Sequence, residues 1–176
     1  MQRKRRIPWD WLVGLAGVAL LGAGLLYFAL DRVPWAPRRA PSAGAAGTPA
    51  VIELTQVPCQ FLEPEQGANR GFRSHSAEDC IAINGRTGPE RLAEARPLAL
   101  APGRYVFRVT NKDVPYELGF WLRGDGLVNR AKLPSISGGG LTTGETRDYE
   151  ITLTPGEYVY SCPLNPTPDY RLTVRG

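Results

Sequence analysis

The chain has 176 residues, a formal net charge of +4, three cysteines, one histidine and one methionine. This length suits one compact domain with additional segments. The chain has 21 basic and 17 acidic residues. Positions 1–50 hold seven basic and two acidic residues, so positions 51–176 hold 14 basic and 15 acidic residues. A folded part with this balance lacks the clustered positive charge that nucleic-acid binding requires, so no nucleic-acid partner is expected.

The first thirty residues predict a basic cytoplasmic tail (1–10) followed by a transmembrane helix (11–30). The uncharged run from Trp11 to Leu30 would be about 30 Å long as a helix, which matches the hydrocarbon core of a bilayer. An uncleaved anchor is favoured over a signal peptide, the alternative, because no small-residue cleavage motif follows the run closely. A slight excess of basic residues before the run favours a cytoplasmic N-terminus. We therefore expect a single-pass protein of the inner (cytoplasmic) membrane with a periplasmic C-terminal domain.

Small residues form two stripes on this predicted helix, and such stripes let another helix approach closely. They favour packing against subunits of a membrane complex, although glycine and alanine are also simply frequent in membrane helices. The stripes consist of Gly14, Gly17 and Gly24, and of Ala16, Ala19 and Ala23.

Positions 31–50 predict a linker, and positions 51–176 a single exported domain. The linker holds four prolines among alanine, glycine and arginine, a composition typical of a semi-extended tether that builds no core. A first strand is predicted from Val51 to Gln56. A Thr87-Gly88-Pro89-Glu90 capping box then predicts a short helix that ends near Ala95.

The second half of the domain predicts short strands separated by turns. Alternating patterns place strands near 105–109, 116–123, 147–153, 157–162 and 169–174, and Pro-Gly pairs mark two of the turns. Positions 124–140 predict a long glycine-rich loop. Regular short strands of this kind favour an antiparallel β-sandwich, so the fold class is mainly β.

Several of these segments resemble the cupredoxin family. They are Pro102-Gly103-x-Tyr105-x-Phe107-x-Val109-x-Asn111, then Pro115, then Pro155-Gly156-Glu157-Tyr158-x-Tyr160-x-Cys162-Pro163. The resemblance covers roughly 98–176 and implies an exported Greek-key β-sandwich, many relatives of which carry electrons through one copper ion.

The copper ligands that the resemblance implies are missing. A blue-copper site needs two imidazoles, one thiolate and a weak axial ligand such as methionine. Cys162 matches the thiolate, but Tyr116 and Glu117 stand near the upstream imidazole position, and Leu164 and Asn165 near the downstream one. The sequence therefore predicts no cofactor, with Cys162 as a small buried residue.

The other two cysteines, Cys59 and Cys80, flank the histidine, His75. In an exported domain the pair predicts a disulfide, worth roughly 3 kcal/mol on a loop-entropy estimate. Two alternatives stay open: a Cu(I) or Zn(II) site built from Cys59, His75, Cys80 and Cys162, and a dithiol that cycles between its redox states.

Partner contact is predicted at the loop after Cys162. Three prolines stiffen it around Leu164, and a stiff apolar loop loses little entropy on docking. We expect Pro163, Leu164 and Pro166 to contribute, together with Trp121, unless Trp121 merely covers a sheet edge. No pattern typical of a catalytic triad, His-pair metal site or phosphate loop occurs, so no enzymatic activity is expected.

These observations predict a non-catalytic, membrane-anchored, cupredoxin-like accessory subunit. Its partners would be the lipid bilayer and the subunits of a larger membrane complex. An association with photosynthetic or respiratory electron transfer follows from the family resemblance alone. The alternative is an exported copper-binding or redox protein that uses Cys162, or Cys59, His75 and Cys80.

Overall fold

The computed structural model describes residues 48–176, which form a mainly β structure with two helices. In chain order the elements are β1 (Ala50–Val57), β2 (Gln60–Phe61), α1 (Ala77–Glu94), β3 (Leu98–Leu100), β4 (Gly103–Asn111), β5 (Leu118–Gly124), α2 (Gly126–Lys132), β6 (Ile136–Leu141), β7 (Thr146–Leu153), β8 (Gly156–Ser161) and β9 (Tyr170–Val174). The predicted tail, membrane helix, small-residue stripes and most of the linker lie outside the described residues. Within 48–176, neither helix combines the length and apolar character needed to cross a bilayer.

Two sheets make the sandwich, in the orders β2-β1-β4-β7 and β3-β9-β8-β5-β6. The prediction of a mainly β sandwich is confirmed for this part of the chain. The prediction of antiparallel pairing holds for five of the seven strand pairs of residues 48–176. It is wrong for the other two, because β1 runs parallel to β4 and β3 runs parallel to β9. The chain between β1 and β4 contains β2, α1 and β3, and it returns to the starting end of the sandwich before β4 begins.

The strand registers define two ends of the sandwich. Ala50 lies opposite Tyr105, and Gly103 lies opposite Leu153. Strand β8 begins at Gly156, three residues after Leu153. We call this the β1-start end, and it is also where β5 finishes, since Gly124 lies opposite Tyr158. The opposite end, where β1, β4 and β8 finish, is called the Cys162 end.

The core follows the alternation that the sequence predicts. Tyr105, Phe107 and Val109 are buried on one face of β4, and Phe120 and Leu122 are buried on β5. Phe107 stacks on Phe120 with ring centroids 5.6 Å apart. The other pairs of large aromatic side chains in the core meet edge-on or tilted, with ring centroids 5.1 to 6.3 Å apart. Their members are Phe61, Phe120, Tyr149, Tyr160 and Tyr170.

Helix α1 is longer than predicted. Its N-terminal capping box is formed by Ser76 and Asp79, not by Thr87 and Glu90. Asp79 accepts the backbone N–H of Ser76, which satisfies an otherwise unpaired donor at the helix start. Pro89, which was predicted to lie in the first turn of the helix, lies well inside it.

The glycine-rich segment is not a loop. Gly126, at φ +73°, starts α2, and the three glycines at 138–140 belong to β6. A Cβ on Gly138 would lie 2.9 Å from the Tyr149 ring. These glycines therefore let β6 pass close to neighbouring groups while it pairs with β5.

Candidate functional site

Cys162 follows directly after β8 and is buried, with 1% of its surface exposed. Its Sγ accepts the backbone N–H of Gly119 at 3.3 Å and of Asn165 at 3.2 Å. Strand β8 thus places the sulfur between the start of β5 and the loop after β8. The tyrosine-x-tyrosine-x-cysteine alternation brings it to the core side, as predicted.

Gln56, near the end of β1, completes a small polar group around this sulfur. Its Nε2 donates to the carbonyl of Gly119 at 2.9 Å, and its side chain lies within hydrogen-bonding reach of Cys162. Its Oε1 is buried without a hydrogen-bond partner. The hydrogen bond from the Gln56 side chain opposes the rise in the Cys162 pKa, so its amide N–H side faces the sulfur, while the buried Oε1 remains a costly acceptor without a partner.

Asn165 occupies the centre of the Cys162 end and is fully buried. Its Oδ1 accepts the backbone N–H of Cys59 at 2.9 Å and the hydroxyl of Tyr116 at 3.3 Å. Its Nδ2 donates to the carbonyl of Val57 at 3.1 Å. One amide side chain therefore joins the loop after β8 to the end of β1, at a position where the resemblance implies a copper-binding imidazole.

Cys59 and Cys80 form a disulfide in the structure, with Cα atoms 4.9 Å apart, and both are fully buried. The bridge ties the segment after β1 to the first turn of α1. Cys80 Sγ lies 3.0 Å from Asn165 Oδ1, a sulfur–oxygen contact without a proton because both cysteines are bonded. His75 is exposed just before α1, and its backbone N–H donates to Asp79.

The residues at the Cys162 end do not fit a blue-copper ion. The amide of Gln56 lies near the thiol, and the amide of Asn165 is already bonded to Cys59, Val57 and the phenol of Tyr116. Amides and phenols are harder and weaker ligands than imidazole or thioether. Across residues 48–176, no three histidine, cysteine, aspartate or glutamate side chains are grouped as a metal ion would need. The structure brings Cys59 and Cys80 together as a disulfide, and it does not join His75 to them in a ligand set.

A buried ion pair, which the sequence did not reveal, anchors α1 to the sandwich. The Arg91 guanidinium lies 2.6 Å from Glu65, and both side chains are at most 2% exposed. Tyr170 donates its hydroxyl to Glu65 at 2.6 Å, and Arg91 donates to the Cys59 carbonyl at 3.1 Å. Isolated charged residues carry no periodic signal, so only the folded contacts identify them.

The predicted contact residues lie in two places. Pro163 and Leu164 are exposed after Cys162, with Leu164 42% exposed, while Pro166 is half-buried and its carbonyl accepts from Asn84 of α1. Trp121 lies half-buried on β5. The structure therefore leaves Pro163 and Leu164 accessible, and it does not join Trp121 to them through any described contact.

Two arginine side chains lie against the indole ring of Trp121. The guanidinium of Arg123 stacks 4.0 Å from its ring centroid and that of Arg130 lies at 5.5 Å. Arg123 also binds both carboxylate oxygens of Asp169 at 2.7 Å. Such stacking holds the indole in place on the outer side of its sheet.

Burial raises the pKa of the Cys162 thiol, against the opposing effect of the N–H groups of Gly119 and Asn165. We expect this thiol to react with a small thiol reagent about a hundred-fold or more slowly in the folded protein than in denaturant, the factor that an opening of about 3 kcal/mol gives. The measurement is the labelling rate without reductant, which leaves the disulfide intact. Equal rates in both states would contradict a protected thiol.

No protein-family model and no curated protein sequence matches this chain. Among solved structures, auracyanin B is 16% identical, with 79% of this chain and 100% of that chain covered and a TM-score of 0.45. Dithionite-reduced auracyanin from the photosynthetic bacterium Roseiflexus castenholzii is 12% identical, with 74% and 100% covered and a TM-score of 0.44. A Cu-containing nitrite reductase from Thermus scotoductus is 19% identical, with 82% and 27% covered and a TM-score of 0.43. Similarity at this level does not indicate the function of this chain, which must be inferred from its own residues.

Proposed function

We propose that the chain is a membrane-anchored, cupredoxin-like accessory subunit that works without copper and without catalysis. The observation that carries this proposal is the bonding of Asn165. Its amide links Cys59, Tyr116 and Val57 at the place where the family resemblance implies a ligand. Hydrogen bonds thus hold this end of the sandwich together, where a cupredoxin uses metal–ligand bonds.

The Cys162 thiol then has a structural task. It is buried and accepts the backbone N–H groups of Gly119 and Asn165. A neutral thiol in this setting satisfies a backbone N–H group of β5 and one of the loop after β8, and it packs as a small apolar residue. Because the Cys162 thiol is neutral, the Cys162 end needs no metal ion or other cation to balance the charge of a buried thiolate.

The accessible part of this end is suited to contact with another protein subunit. Pro163 and Leu164 are exposed, and the loop behind them is fixed by bonds between Cys162 and Thr167 and between Pro166 and Asn84. A rigid apolar projection loses little conformational entropy when it is buried. Residues 11–30 would keep the domain at the membrane, beside an assembly of respiratory or photosynthetic electron transfer.

The test is gentle detergent extraction of the native membrane, followed by sizing, protein identification and copper analysis of one fraction. We expect the chain to co-migrate with a larger assembly and to hold far less than one copper per chain, including after incubation of the purified protein with Cu(I) or Cu(II). The Cys162→Ser variant should show the same copper content. A free small protein would contradict the role as a subunit.

The second candidate is an exported copper-binding protein, and the buried, unpartnered Gln56 Oε1 beside Cys162 favours it. Sulfur and amide oxygen together could contact a soft ion, although the set lacks imidazole. Stoichiometric copper that Cys162→Ser abolishes would replace our proposal with this one. Redox cycling of Cys59 and Cys80 is disfavoured because both are fully buried, and easy reduction of the native disulfide would revive it.

A further inference from the structure

Helix α2 displays apolar side chains to the outside of the domain. Leu127 is 85% exposed and Val128 is 64% exposed, the two highest values among the large apolar side chains of residues 48–176. Together with the exposed Ala131 they lie at i, i+1 and i+4, which is one face of a helix. This face gives the domain itself no core contact.

The rest of α2 is firmly fixed to the sandwich. A Cβ on Gly124 would lie 2.3 Å from the backbone of Asn129, so only glycine allows α2 to fold back this closely over β5. Leu133 packs against Gly156, where a Cβ would lie 2.6 Å from its Cδ1. The exposed apolar face of α2 therefore belongs to a helix that is held rigidly against the sandwich.

Basic and aromatic groups flank the apolar face. Arg130 and Lys132 lie in the last turn of α2, and Arg130 reaches over the ring of Trp121. Asp125, directly before the helix, is the acidic residue of this segment. Exposed aliphatic groups beside arginine, lysine and tryptophan match the chemistry of an anionic lipid surface, where the alkyl groups enter the acyl boundary and the cations meet phosphates.

The position of α2 agrees with such a surface. Gly124 ends β5 at the β1-start end, and Ala50 begins β1 at that same end. The described chain thus begins at the same end of the sandwich at which α2 lies. The Cys162 end, with Pro163 and Leu164, lies at the opposite end of the strands.

We propose that α2 is a second membrane contact, in which Leu127 and Val128 insert into the headgroup region of an anionic leaflet while Arg130 and Lys132 bind lipid phosphates. This inference rests on the proposed membrane anchor. It orients the domain with its β1-start end toward the bilayer, and the Cys162 end then faces away from the lipid, open to a partner.

The experiment uses the full-length protein in vesicles of phosphatidylcholine with and without phosphatidylglycerol. A polarity-sensitive fluorophore is attached at V128C and, as the matched control, at I81C, a 60% exposed aliphatic position on α1. We expect the Val128 label to shift to the blue and to be quenched by headgroup-quencher lipid, more strongly with phosphatidylglycerol. The Ile81 label should remain in water.

L127D in the V128C background should return the Val128 label to water, and R130Q and K132Q should each weaken the docked state about five-fold.

The possible outcomes distinguish failure of the α2 contact from failure of the membrane anchor. Vesicle flotation of the full-length protein reports the anchor, and the Val128 label reports α2. A chain that floats while its Val128 label stays in water overturns the α2 contact and leaves the anchor standing. A label that is protected in native membranes but not in vesicles also overturns it, because a protein then covers α2. A chain that fails to float overturns the anchor, and the α2 proposal with it.

Discussion

Replacing Arg91 with methionine is expected to destabilise the domain by about 3–5 kcal/mol. The carboxylate of Glu65 would lose its 2.6 Å partner inside a site where its side chain is 1% exposed. The Cys59 carbonyl would lose the N–H group that Arg91 donates, and Asn84 would lose its contact with the guanidinium. The free energy of unfolding from urea denaturation, followed by near-ultraviolet circular dichroism, measures this loss.

Two controls separate the buried charge from general damage. Arg70→Met removes a 37% exposed partner of Glu65 and should cost no more than about 1 kcal/mol. Replacement of all three central polar groups, in E65L/R91M/Y170F, should be less harmful than Arg91→Met, because no charge is left without a partner. If Arg91→Met alone changes stability by less than about 1 kcal/mol, the ion pair does not anchor α1.

The sequence predicted the sandwich because its signals are local. Alternation placed Tyr105, Phe107 and Val109 on one buried face, and the structure buries all three. The start of α1 was missed because Ser76 and Asp79, the capping pair, open a helix with a weak apolar pattern, whereas Thr87 and Pro89 gave a start signal inside it. The helix continues past Pro89 because Arg91 in its last turns is fixed by Glu65, a contact far along the chain.

The candidate site was predictable only in part. Cys162 was identified from its neighbours on β8, since a strand fixes which side chains share a face. Gln56 and Asn165 meet around it from positions more than 100 residues apart, and no local pattern marks such a pair. The exposed face of α2 was missed for another reason: the glycines around it predicted a loop, yet they permit the close packing of α2 and β6.

Asn165→Ala is expected to destabilise the domain by roughly 2–5 kcal/mol. The buried N–H of Cys59 and the carbonyl of Val57 would both be left without their side-chain partner, and each such group costs about 1–3 kcal/mol. The loop after Cys162 would also detach from the end of β1. The measurement compares urea denaturation of this variant with that of Asn69→Ala, an exposed asparagine with a local bond to Gly71, which should cost less than about 1 kcal/mol.

The same variant distinguishes a hydrogen-bonded end from a vacated copper site. If Asn165 holds the end together, Asn165→Ala should also raise the reaction rate of the Cys162 thiol, because the sulfur loses the ordered backbone N–H of residue 165 and its cover. The thiol should become reactive before the domain unfolds globally. A variant that is as stable as the parent, with an equally protected thiol, would mean that the amide merely fills space. The Cys162 end would then be held by the disulfide and by the packing of α1, and the case for a copper-free structural subunit would lose its main support.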